Sequence, residues 1–169
     1  MARIDEAAAG GRNVLAFLDM LAHSEGTATS PATRDDGYDV IVTGADGKPE
    51  IFTDYSTHPF ANGRKSKVIN SKGLTSNAAG RYQFMLKDWA HYRDLLRLTS
   101  FGPVAQDRWA IQLIKERRAL PDIIAGRFEL AVGKVSNLWA SLPGAGYGQP
   151  EHRLETLVAA YQRAGGVLA

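Results

Sequence analysis

The tightest constraint in this chain is the place where an apolar stripe ends. Residues 13–25 carry Val14, Leu18 and Leu21 at steps of four and then three, the spacing of one face of an amphipathic helix. The next step of four lands on Glu25, and Gly26, a residue suited to stop a helix, follows at once. A carboxyl at the rim of an apolar face loses hydration, and the last turn of a helix repels negative charge. Both effects favour the protonated acid near neutral pH, which is what a general acid requires. A helix-terminal Glu that simply faces water is the plainer alternative, and the rest of the chain has to decide between them.

The chain has 169 residues, 44% of them apolar, enough for one core. The expected organisation is an N-terminal lead-in over residues 1–12, loosely ordered, followed by a single domain over 13–169. Twenty Lys and Arg against 18 Asp and Glu give a net charge of +2, which carries no nucleic-acid footprint. No apolar run is long enough to cross a bilayer, and the first residues lack the hydrophobic segment of a signal peptide. With no cysteine there is no disulfide and no thiolate metal site. His23, His58, His91 and His152 are scattered without ligand spacing, so neither a metal nor a cofactor is expected. No nucleophile-elbow motif accompanies the serines.

Past Glu25 the residues over 26–37 are small and polar, a loop by composition. Residues 38–43 and 51–55 are rich in β-branched and aromatic side chains and flank a turn cluster at 44–49, which predicts a β-hairpin with a long loop. The polar stretch over 56–79 is long for a loop, and loops of that length are usually functional. Helical spacing then predicts segments at 86–98, 103–119, 121–126, 129–140 and 151–164, the last ending at Gly165 and Gly166. Residues 142–150 hold three Gly and two Pro and are not helical.

Glycosidases with two carboxylates need a second acid beside the general acid. Asp35, Asp36, Asp39 and Asp54 are the acids near Glu25 in sequence. Asp35 and Asp36 sit in a loop, where a solvated or turn-forming Asp is the ordinary case. Asp39 opens a strand, a position that suits Asp poorly and implies a specific partner. In Ala79-Gly80-Arg81-Tyr82-Gln83-Phe84 a Gly precedes three long hydrogen-bonding side chains, a combination that suits sugar hydroxyls, although Arg81 is equally suited to pairing with an acid. The helical position of Trp139 favours core packing. The Gly-rich stretch with Tyr147 and Gln149 suits either close approach of an extended ligand or a structural connector, and it lacks the Lys and Ser or Thr of a phosphate loop.

Taken together, residues 17–27, Gly37-Tyr38-Asp39-Val40-Ile41-Val42, Phe52-Thr53-Asp54-Tyr55-Ser56 with His58-Pro59, Ala79-Gly80-Arg81-Tyr82-Gln83, and residues 139–149 resemble the lambda-type phage endolysins, in order and over most of the chain. The resemblance implies an α+β, mostly helical lysozyme-like domain with a small β-hairpin lobe beside an active-site cleft, and lytic transglycosylase activity on peptidoglycan. It implies Glu25 as the catalytic residue and Asp39 as an active-site acid. Tyr38, Arg81, Tyr82, Gln83, Tyr147 and Gln149 are implied as substrate-binding positions. It further implies a monomer made in the host cytoplasm, released by a separate pore-forming holin and acting on the periplasmic wall of a Gram-negative host. A muramidase using a second carboxylate, and a wall-binding protein without catalysis, are the competing readings. The longer hairpin loop at residues 44–50 departs from the family pattern.

Overall fold

The chain begins with a capped helix rather than the loose lead-in that its Ala-Gly composition predicts. In the computed structural model, which describes residues 1–146 and 151–169, the Asp5 carboxylate accepts from the backbone N–H groups of Ala7 at 2.9 Å and Ala8 at 3.3 Å. That cap opens α1 (Glu6–Ala9), which Gly10 closes in the left-handed region. Upstream, the buried Asp107 carboxylate receives the N–H groups of Arg3 and Ile4 at 2.7 and 2.8 Å. The lead-in is thereby tied down, and the sequence offers no local sign of it because the acceptor lies more than a hundred residues away.

The chain divides into two compact units, one from Met1–Glu25 with Asp107–Ala169 and one from Gly26–Gln106. In the first unit α2 (Arg12–Ser24) is buried on nearly all sides, with Val14, Phe17, Leu18, Met20 and Leu21 at 0% exposure. A helix buried all round is a core helix rather than a surface one. It packs on α5 (Leu120–Ile124) and α7 (Leu154–Arg163), and α6 (Phe128–Val135) supplies Phe128, whose ring lies 5.8 Å from Phe17 and 4.7 Å from Tyr161. α6 ends at Val135, earlier than the predicted 140, so Trp139 packs in the core from outside the helix.

In the second unit the predicted hairpin is present but short. β1 (Val40–Ile41) pairs with β2 (Glu50–Ile51), Val40 opposite Ile51, and β5 (Ala78–Ala79) and β6 (Phe84–Met85) complete an antiparallel sheet in the order β2-β1-β5-β6. The polar stretch over 56–79 holds a second small hairpin, β3 (Lys67–Val68) with β4 (Thr75–Ser76). Two-residue strands of Lys-Val and Thr-Ser carry too little alternation to be read from sequence. α3 (Leu86–Leu96) follows β6 and buries Trp89. α4 (Pro103–Glu116) begins at the predicted proline.

Candidate active site

Glu25 caps the C-terminus of α2 with helical dihedrals (φ −73°, ψ −5°), and its N–H donates to the Leu21 carbonyl at 2.9 Å. Gly26 then takes a φ of +69°, the left-handed turn that stops the helix. Burial pushes the Glu25 carboxyl up from 4.5 to about 6, against the opposing effect of a hydrogen bond from Ser141. That bond is short, Ser141 Oγ donating to Glu25 Oε1 at 2.5 Å. The Ser24 hydroxyl lies 2.7 Å from Ser141 Oγ and extends the chain to Ser24, Ser141 and Glu25. With its own proton directed at Glu25, Ser141 accepts from Ser24.

Ser141 is held from behind. The His152 N–H donates to the Ser141 carbonyl at 2.9 Å, and His152 Nε2 donates to the Ser24 carbonyl at 3.1 Å. Trp139 and Leu142, 4% and 0% exposed, anchor the chain on either side of the serine. The His23 ring stands 6.1 Å from His152, and its pKa is lowered by burial, then by the nearby charges of His152 and Arg163. Sequence reasoning gave Ser141 no role. Its only signal is its place in the Trp-Ala-Ser-Leu-Pro run, which spacing alone cannot connect to Glu25.

In the second unit Asp39 is 3% exposed and both of its oxygens are engaged by its own loop: Thr33 Oγ1 donates to Oδ1 at 2.5 Å and the Arg34 N–H donates to Oδ2 at 2.8 Å. Thr33 Oγ1 in turn accepts from the Gly37 N–H at 2.7 Å. The specific partner expected for Asp39 is therefore the loop it closes. Tyr38, Arg81 and Tyr82 come together as expected, with the Arg81 guanidinium 4.9 Å from the Tyr38 ring and the two tyrosines edge-on at 6.4 Å. Their side chains are buried, with exposures of 0, 1 and 0%. Arg81 pairs with an acid, the alternative its sequence left open: Nη1 donates to the Asp36 carboxylate and to the Asp36 carbonyl, each at 2.8 Å. Gln83 keeps partial exposure and turns its amide back to the Gly80 carbonyl at 3.0 Å. Tyr147 and Gln149 lie outside the described residues.

Gln106, another residue the sequence reading passed over, is 0% exposed and organises this group. Its amide donates to the carbonyls of Tyr38 and Phe101 and its oxygen accepts from the Arg81 N–H. Gly80 lies against it at φ +81°, where a Cβ would stand 2.4 Å from Gln106 Oε1, so no larger residue fits. Of the remaining acids, Asp35 accepts from the Tyr55 hydroxyl at 2.8 Å, and exposed Asp54 accepts from the Ser56 N–H at 2.8 Å.

Three comparisons bear on this arrangement. The sequence model of the Endolysin family matches residues 15–168. The endolysin of Escherichia phage P2 is 63% identical over 158 residues, covering 94% of this chain and 96% of that protein. The endolysin of Escherichia phage lambda is 52% identical over 154 residues, covering 90% and 91%. Among solved structures, bacteriophage lambda lysozyme complexed with a chitohexasaccharide superposes with a TM-score of 0.84 at 49% identity, covering 100% of both chains.

Proposed function

The chain belongs to the endolysin family of the lambda type, and from that premise we propose that it cleaves the glycan strand of bacterial peptidoglycan as a lytic transglycosylase for host lysis. The observation that carries this reading is the state of Glu25: a desolvated carboxyl with a pKa of about 6 and a serine hydroxyl on one oxygen. Such a group is partly protonated at neutral pH and serves as acid and then as base.

In the proposed reaction Glu25 donates its proton to the glycosidic oxygen between N-acetylmuramic acid and N-acetylglucosamine. As carboxylate it then takes the proton of the muramoyl C6 hydroxyl. The C6 oxygen attacks C1 of the same sugar, the C1–O bond to the leaving sugar breaks, and a 1,6-anhydro end forms with no water consumed. An internal nucleophile removes the need for a positioned water and for a second carboxylate. In keeping with this, Asp35, Asp36 and Asp39 are engaged by Tyr55, by Arg81, and by Thr33 with Arg34. In this reading Asp39, Tyr38, Arg81, Tyr82, Gln83, Tyr147 and Gln149 are the proposed substrate-binding residues, with Asp35 and Asp36 helping to hold the Asp39 loop and Arg81 in shape. In the same reading the protein is a monomer and reaches the periplasmic wall of a Gram-negative host through a pore made by a holin.

Digestion of purified peptidoglycan followed by mass spectrometry tests the chemistry. Muropeptides one water lighter and resistant to borohydride reduction are expected. Reducible ends would replace this reading with a muramidase that activates water through a second carboxylate.

A further inference from the structure

The polar stretch that begins after the predicted hairpin forms one wall of a pocket that the proposed reaction does not use. The pocket, about 540 Å³, lies wholly in the second unit and is lined by Phe52, Asp54, Thr57, Pro59, Asn62 and Arg64, among others. That volume falls in the range of small-ligand sites, roughly 300–1,000 Å³. Residues 52–64 include neither helix nor strand, yet they are held firmly. Phe52 packs on Tyr55 at 5.0 Å and on Phe101 at 5.9 Å, and the Phe101 N–H donates to the Tyr55 carbonyl at 2.7 Å. Buried His58 accepts the Phe60 N–H on Nδ1, so its Nε2 carries the proton and donates to the Phe84 carbonyl at 2.9 Å. A long irregular segment fixed in this way is preorganised.

The polar groups in the lining carry both signs of charge. The Asp54 carboxylate is oriented by the Ser56 N–H on Oδ1 and is otherwise exposed, and the bonds from Ser56 hold its pKa below the usual Asp value. Arg64 is steadied by Glu50 through Nη1 and stands 6.0 Å from the Phe60 ring, leaving the rest of its five-donor fork for a ligand. The Thr57 hydroxyl accepts the Trp89 indole N–H at 2.9 Å and so has its own hydrogen to donate. The aromatic face that a sugar would stack on is missing from this set, since Phe52 is 4% exposed. An anion and a cation in one lining suit a zwitterion rather than a neutral glycan.

We propose that this pocket binds a short peptide carrying both an ammonium and a carboxylate, the chemistry of peptidoglycan stems, with Asp54 taking the ammonium and Arg64 the carboxylate. The choice of ligand rests on the peptidoglycan reading given above.

The test is a titration of the isotope-labelled full-length protein with the free stem tetrapeptide L-Ala-D-Glu-diaminopimelate-D-Ala, followed by NMR at the pocket amides. Millimolar binding is expected. Acetylating the peptide amines weakens binding to the wild type about tenfold and to Asp54→Asn hardly at all, because that variant has already lost the contact. Amidating the carboxylates does the same against Arg64→Gln. Asp54→Asn retains an oxygen for the Ser56 N–H, and a thermal melt confirms its fold. No shifts at these residues up to about 10 mM peptide, equal losses in wild type and variant, or saturation of the same residues by a neutral chitooligosaccharide would each overturn the pocket assignment. The Glu25→Gln variant should bind the peptide as the wild type does. Cleavage of peptidoglycan without peptide binding counts against the pocket alone, whereas peptide binding without cleavage counts against the transglycosylase reading alone.

Discussion

Two acids, one in each unit, stand in contrasting surroundings. Asp39 keeps 3% of its surface exposed and has donors from Thr33 and Arg34 on both oxygens, which close its loop. Glu25 has lost its water for one hydroxyl, from Ser141, and burial outweighs that bond. Asp39 is supplied with two donors and Glu25 with one. Donors on both oxygens tie Asp39 into its loop, whereas at Glu25 desolvation outweighs the single donor and raises the pKa.

The largest test of this contrast is Glu25→Gln. It keeps the shape of the side chain and removes the proton, and activity on peptidoglycan should fall by on the order of 10³-fold, within the usual range for a general acid. Residual activity near the wild type in a turbidity assay would remove Glu25 from the chemistry. Asp39→Ala should act first on stability. Leaving the Thr33 hydroxyl and the Arg34 N–H unmatched costs about 2 kcal/mol and lowers Tm by roughly 4–8 °C. If the melt is unchanged while turnover on glycan strands collapses, the contrast fails and Asp39 acts on the substrate alone.

A finer test lies in the pH dependence of stability. The folded pKa of Glu25, about 6, lies above its ordinary 4.5, so between these values the folded state binds more protons than the unfolded one. Stability is then lost as pH rises through that window, by on the order of 1–2 kcal/mol. Denaturant melts of Glu25→Gln should lack this decline and leave the variant the more stable protein at pH 7–8. Parallel curves would mean the acid is not perturbed. The smallest expected effect is that of Ser141→Ala. It removes the bond that favours the charged form, so the alkaline limb of the pH–rate profile should move to higher pH, and an unmoved limb would leave Ser141 a structural role only.

Much of this was legible in sequence where periodicity sufficed. The stripe of Val14, Leu18 and Leu21 placed Glu25 at the helix end, and Gly26 stopped the helix as predicted. The hairpin around residues 44–49 and the helix start at Pro103 were legible for similar local reasons. What escaped was pairing at a distance. The cap on Arg3 and Ile4 comes from Asp107, and the hydroxyl on Glu25 comes from a residue 116 positions away, connections that spacing cannot encode. That Tyr38, Arg81 and Tyr82 are buried around Gln106 was equally illegible, because the carbonyl and N–H groups that Gln106 joins are far apart in the chain.

The unit that contains Glu25 is assembled from Met1–Glu25 and Asp107–Ala169, with all of Gly26–Gln106 made in between. During synthesis the acid leaves the ribosome early and waits for Ser141, a delay on the order of 10 s at ordinary elongation rates. A nascent or prematurely terminated chain lacks the partner serine and the helices that strip water from the carboxyl.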